Sequence, residues 1–145
     1  MVTKDFAELF ACFNARRVRA VIVGGYALAF HAKPRFTKDI DIFIDPDPEN
    51  AERVMGALAD FGFGDVGLTS ADFATAGAIV QLGVAPNRVD LLTAIDGVTF
   101  DEAWAGRVQG NYGDQPVFFL GLEDLRRNKR ASGRQQDLAD LETLE

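Results

Sequence analysis

The sequence predicts an α+β fold: a mixed, mainly antiparallel sheet with helices packed against it and a helical pair at the C-terminus. Apolar residues recur at helical spacing near both ends of the chain. Between them lie short apolar, β-branched runs bounded by glycine and proline. The resulting order, α-β-α-β-α-β-β-α-(ββ)-α-α, suggests the mixed sheet.

Phe6, Leu9, Phe10 and Phe13 fall at i, i+3, i+4 and i+7, so the opening segment reads as an amphipathic helix. The run Ala20–Val23 stops at Gly24-Gly25 and reads as a buried strand. A helix over 26–32 follows, closed by Pro34, and then a strand over 39–45, bounded by Pro46 and Pro48. Asp47 is a suitable N-cap with Pro48 at the first helical position, and Gly62 a suitable stop. Residues 63–76 give no clear period and read as loop with partial strand. Strands over 77–83 and 88–95 flank a turn at Pro86-Asn87. A short helix over 100–105 precedes two weaker strands, 107–110 and 116–120. Helices over about 122–131 and 135–144, split at Gly133, close the chain, the last with an apolar stripe of Leu138, Leu141 and Leu144.

A chain of 145 residues without repeats or linkers is expected to be a single domain, with a core over about 1–120 and C-terminal helices over about 121–145. Its apolar runs are far shorter than the ~18–20 residues of a membrane span, so no membrane association is expected. No signal peptide is evident, and the lone Cys12 excludes an internal disulfide and cysteine-based zinc clusters; a cytoplasmic location is expected. The net charge of −7 makes non-specific nucleic-acid binding unfavourable, because that needs a cationic surface. Only Arg126, Arg127, Lys129, Arg130 and Arg134 form a basic cluster. Trp104, Tyr112 and most of the phenylalanines read as core.

The chemistry concentrates in residues 21–45. Where a strand meets a helix at Gly24-Gly25, the backbone can turn sharply and approach a ligand, and the helix start offers free N–H groups to a phosphate. The same turn also serves purely structural ends. Asp39 and Asp41 lie two apart on a strand and share a face, while Ile40, Ile42 and Ile44 take the other. Side-by-side carboxylates stay ionised only with a cation or basic partner nearby, and magnesium suits them. A solvent-facing acidic strand would carry the same pattern. Asp90, flanked by Val89 and Leu91, also projects from a strand face, and with the other two could complete a three-acid site for two metal ions. His31 reads as a structural histidine or as a site-facing one.

Gly24-Gly25, thirteen residues, then Asp39-Ile40-Asp41-Ile42 resembles the signature of the DNA-polymerase-β-like nucleotidyltransferase superfamily. The longer string GGYALAFHAKPRFTKDIDIFI, with His31, Arg35 and Thr37 in register, is similar to the minimal or AbiEii-toxin-like group, as is the ending LEDLRRNKRASGRQQDLADLETL. The resemblance implies a palm-like sheet on which Gly24 and Gly25 contact a triphosphate, and Asp39, Asp41 and Asp90 hold magnesium or manganese. Asp90 would also be the general base, and Arg35, Thr37, Lys129, Arg134 and Asp137 would contribute to nucleotide binding. The implied function is transfer of a nucleoside monophosphate from an NTP to a hydroxyl acceptor, an RNA 3′ end or a protein side chain, within a toxin–antitoxin system and with a cognate protein partner. The alternative is a catalytically degenerate nucleotide-binding or partner-binding module on the same fold. Glycine stands at position 25 where the family often has serine, Ala32 replaces a frequent glycine, and the long helical extension of full AbiEii toxins is lacking.

Overall fold

The structure, a computed structural model, describes residues 4–32, 39–64, 67–83 and 88–144. The expected closure at Pro34 and the turn at Pro86-Asn87 lie outside the described residues. The elements run α1 (Lys4–Ala15), β1 (Ala20–Val23), α2 (Gly24–His31), β2 (Ile40–Ile44), α3 (Pro48–Phe61) and α4 (Ser70–Ala74). They continue β3 (Ile79–Leu82), β4 (Val89–Leu92), α5 (Phe100–Ala105), β5 (Val108–Tyr112), β6 (Gln115–Phe119), α6 (Leu122–Ser132) and α7 (Gln135–Leu144).

The strands form one sheet in the order β3-β4-β2-β1-β6-β5. β2 runs parallel to β4 and β1 parallel to β6, and the other three neighbouring pairs are antiparallel. The expected mixed, mainly antiparallel sheet is therefore present. Alternation along the strands gives the sheet two apolar faces. Ile22, Ile40, Ile42, Ile44 and Leu91 pack with α1, α3 and Phe73 of α4 on one face. Val21, Val23 and Phe43 pack with Leu28, Phe100, Leu125 and Leu144 on the other. Among the described residues no helix is long and apolar enough to cross a membrane.

Local chemistry sets the element ends. The Asp47 carboxylate accepts the backbone N–H groups of Glu49 and Asn50, at 3.1 and 3.2 Å, and Gly62 leaves α3 in the left-handed region at φ 109°. The buried Asn50 then ties α3 to the sheet: its Nδ2 donates to the Asp45 carbonyl at 2.9 Å and its Oδ1 accepts the Arg19 N–H at 2.7 Å.

Two expectations need correction. The stretch 63–76, expected as loop with partial strand, contains α4, started by a reciprocal Thr69/Asp72 capping box and held by the fully buried Phe73. On α7, Leu138 is half exposed, and the inward face carries Asp137, Asp140 and Leu144 instead of a leucine stripe. Those acids can turn inward because α6 supplies a buried cation to meet them.

Candidate active site

The parallel pairing of β2 with β4 puts Asp41 directly opposite Asp90. Neighbouring strands lie about 4.8 Å apart, so side chains in register on one face are necessarily adjacent. The two carboxyls come within hydrogen-bonding reach of each other. Val23, the last residue of β1, pairs with Asp41 from the other side, so the chain enters Gly24 beside that carboxylate. Three strand termini thus bring the glycine turn and two acids to one place.

Gly24 has φ +66°, and a Cβ there would collide with Oδ2 of Asp41. α2 begins at Gly24 itself, with no side chain capping its first turn, so its leading N–H groups open onto the acids. Gly24→Ala is expected to cost about 1–2 kcal/mol for the left-handed backbone and to push the Asp41 carboxylate aside. The colliding atom ends a side chain, so the fold can yield where the site cannot. Urea unfolding should show that modest loss, and the Asp41 carboxyl resonance should shift as the side chain is displaced; an unmoved resonance would sink the assigned close approach.

Burial is the main reason the Asp41 carboxyl is pushed up to about 6, with the charge and hydrogen bond of Asp90 adding to it, then the charge of Asp39; Arg88 pulls the other way. Arg88 is one of the cleft residues not anticipated from the sequence. Its Nε lies 3.1 Å from Asp90 Oδ1 and an Nη 3.0 Å from Asp39 Oδ2, so one guanidinium bridges two of the three acids. The same two-residue strand spacing that paired Asp39 with Asp41 could have paired Arg88 with Asp90.

The opposite wall comes from α6 and α7. Gly133 ends α6 in the left-handed region, φ 65°, and turns α7 back against it. Lys129 is buried between Asp137 and Asp140, its Nζ 3.3 and 3.0 Å from their oxygens. Arg134 donates from Nε to Asp137 at 2.7 Å while most of its side chain stays exposed. Burial raises the Asp137 carboxyl, but hydrogen bonds from Arg134 and Lys129 outweigh it and hold the group below its ordinary value. Gln136 donates to Asp140 at 2.8 Å.

These residues line one cleft of about 350 Å³: Gly24, Gly25, Asp39, Asp41, Arg88, Asp90, Lys129, Arg134, Gln136, Asp137 and Asp140. Eight of the ten singled-out positions are therefore together, whereas Arg35 and Thr37 lie outside the described residues. Gln136 and Asp140 join Arg88 as lining residues not anticipated; Asp140 follows Asp137 by three and so shares its helix face. His31 does not line the cleft: its Nε2 lies 2.6 Å from the Leu120 carbonyl and links α2 to the end of β6. Within the basic cluster, Arg126 binds Glu123 and the Leu144 carbonyl, and Arg127 binds Glu102, Asp124 and the Gly97 carbonyl. Those cations serve the fold. Trp104 is only half-buried, and Arg107 stacks over its ring at 3.8 Å.

With all groups ionised, the cleft holds five carboxylates against three cationic side chains. Hard carboxylate oxygens, a desolvated Asp41 and a guanidinium standing where a cation is needed fit a divalent ion in chemistry. Among the described residues, however, no group of three or more His, Cys, Asp or Glu is gathered as a ready metal site. Asp41 and Asp90 are adjacent; Asp39 is held by Arg88.

A family model described as "Nucleotidyltransferase of unknown function (DUF6036)" matches residues 1–145. The chain belongs to this nucleotidyltransferase family. No curated protein matches it. Among solved structures, the DUF6036 chain is similar to ANT(2″)-Ia in complex with adenylyl-2″-tobramycin, at 13% identity and a TM-score of 0.57, covering 96% of this chain and 84% of that one. At that identity the likeness shows the fold: the α+β arrangement of this DUF6036 member is a nucleotidyltransferase fold.

Proposed function

We propose that the cleft transfers a nucleoside monophosphate from an NTP to a hydroxyl acceptor, with a divalent metal, magnesium or manganese, held by Asp41 and Asp90 and completed by Asp39. The observation that carries this reading is the in-register pairing of Asp41 and Asp90 beside the Gly24 turn, facing Arg134 across one cleft. Bound metal would neutralise the triphosphate and stabilise the leaving pyrophosphate. The N–H groups at Gly24 and Gly25 would meet phosphate oxygens, and Arg134 would offset their charge. The acceptor oxygen attacks the α-phosphorus, the bond from that phosphorus to the pyrophosphate oxygen breaks, and Asp90 takes the hydroxyl proton.

Lys129 contributes indirectly in this scheme. Buried between Asp137 and Asp140, it fixes the wall on which Arg134 stands. The acceptor is proposed to be a protein side chain or an RNA 3′ end. The net charge of −7 weighs against a long RNA contact and favours the protein. The AbiEii-like subtype and a toxin–antitoxin partner rest on the motif resemblance alone.

Calorimetry with an NTP should give binding that requires magnesium, and labelled NTP should yield labelled protein or RNA with release of pyrophosphate. NTP binding that ignores magnesium, together with no transfer to either acceptor class, overturns the proposal. One observation favours the second reading, a degenerate binding module: Arg88 neutralises two of the acids without any metal. Robust transfer removes that reading.

A further inference from the structure

We propose that Arg88 is a tethered counter-cation for the acidic cleft, occupying the charge position that a divalent ion takes over, and that metal binding displaces it. The inference rests on the metal-dependent reading above and adds a positioning role that neither the motif nor the family description assigns.

Three carboxylates facing one cleft repel one another and need positive charge to stay ionised together. The Arg88 guanidinium supplies it in a planar grip: Nε at 3.1 Å and an Nη at 3.4 Å from the two oxygens of Asp90, with an Nη at 3.0 Å from Asp39. A bidentate carboxylate grip is the strong form of this interaction. It consumes the oxygens of Asp39 and Asp90 that would turn toward a metal beside Asp41. Among the described residues no three-acid group is gathered, although the same cleft contains all three acids.

The geometry also lets the arginine leave. Its side chain is 36% exposed, so the guanidinium can swing towards solvent while the Arg88 carbonyl stays fixed, accepting the Ile40 N–H at 3.1 Å. A purely structural arginine would hold the acids in place for the metal, so removing it would weaken metal binding. A competing arginine has the opposite sign: removing it strengthens metal binding.

The test uses the full chain and Mn2+ alone, without nucleotide, followed by paramagnetic resonance of free Mn2+ at moderate salt. Arg88→Gln should bind Mn2+ about tenfold more tightly than wild type, the order expected when one like charge leaves a partly solvated site. Arg88→Lys, which keeps the charge, should stay within about threefold of wild type. Asp41→Asn should abolish binding in both backgrounds, which places the ion in this cleft. In the wild-type chain, the Arg88 Nε resonance should shift when Mg2+ is added, a measurement that needs no variant to fold. Equal or weaker Mn2+ binding by Arg88→Gln, or an Arg88 resonance that Mg2+ leaves unmoved, overturns the exchange while the function proposed for the cleft stands. Absence of Mn2+ binding in wild type and Arg88→Gln alike overturns both.

Discussion

Asp41→Asn is expected to cripple the proposed transfer and, at the same time, to make the metal-free protein more stable. The loss of activity should exceed a hundredfold, roughly the cost of removing one group that stabilises transition-state charge. The gain in stability follows from the carboxyl being pushed up to about 6 from the 3.8 of an unperturbed aspartate. A carboxyl raised on folding favours the folded state at low pH, where it is protonated in both states. That benefit disappears as pH rises from about 4 through 6, because the unfolded chain ionises first. At neutral pH the ionised Asp41 therefore costs about 2 kcal/mol after allowance for its partial exposure, and asparagine removes the cost. Thermal scans of metal-free protein should put the variant about 4–8 °C above wild type at pH 7 and close to it at pH 4. A variant less stable than wild type at pH 7, or one that still transfers, would contradict the assignment of Asp41.

Lys129→Met is expected to destabilise the fold strongly. Lys129, Asp137 and Asp140 are all buried, and the ammonium group binds both carboxylates. Removing one member of a buried ion cluster leaves charge uncompensated in a poorly hydrated place, at a cost of about 3–5 kcal/mol. Arg134 still grips Asp137, so the penalty should fall mainly on Asp140. Adding Asp140→Asn to Lys129→Met should recover a good part of the loss. Urea midpoints of the single and double variants measure both effects. A single variant within about 1 kcal/mol of wild type would mean that Lys129 is free to serve the nucleotide directly, as the motif resemblance implies.

These two residues show where the sequence was informative. The glycine turn and Asp41 are legible because strand period and the Gly-Gly break are local signals. The ends of α3 are legible for the same reason: Asp47, Pro48 and Gly62 each act within a turn of the helix they bound. The short α4 was hidden because its signal is one capping box and one buried phenylalanine within five residues. Lys129 and Asp140 were harder still. A buried lysine facing two buried aspartates contradicts the usual expectation that α7 packs through its leucines, and only the fold of α7 onto α6 reveals the compensation. Arg88 was overlooked as a strand flank, although its spacing to Asp90 obeys the alternation already used for the acids.

The parallel neighbours β2 and β4 also bear on how the chain reaches its native state. Asp41 and Asp90 are separated by 49 positions, so pairing their strands closes a long loop. Such non-local closure slows folding. If the pairing forms after the rate-limiting barrier, repulsion between the two carboxylates speeds unfolding and leaves the folding rate nearly unchanged.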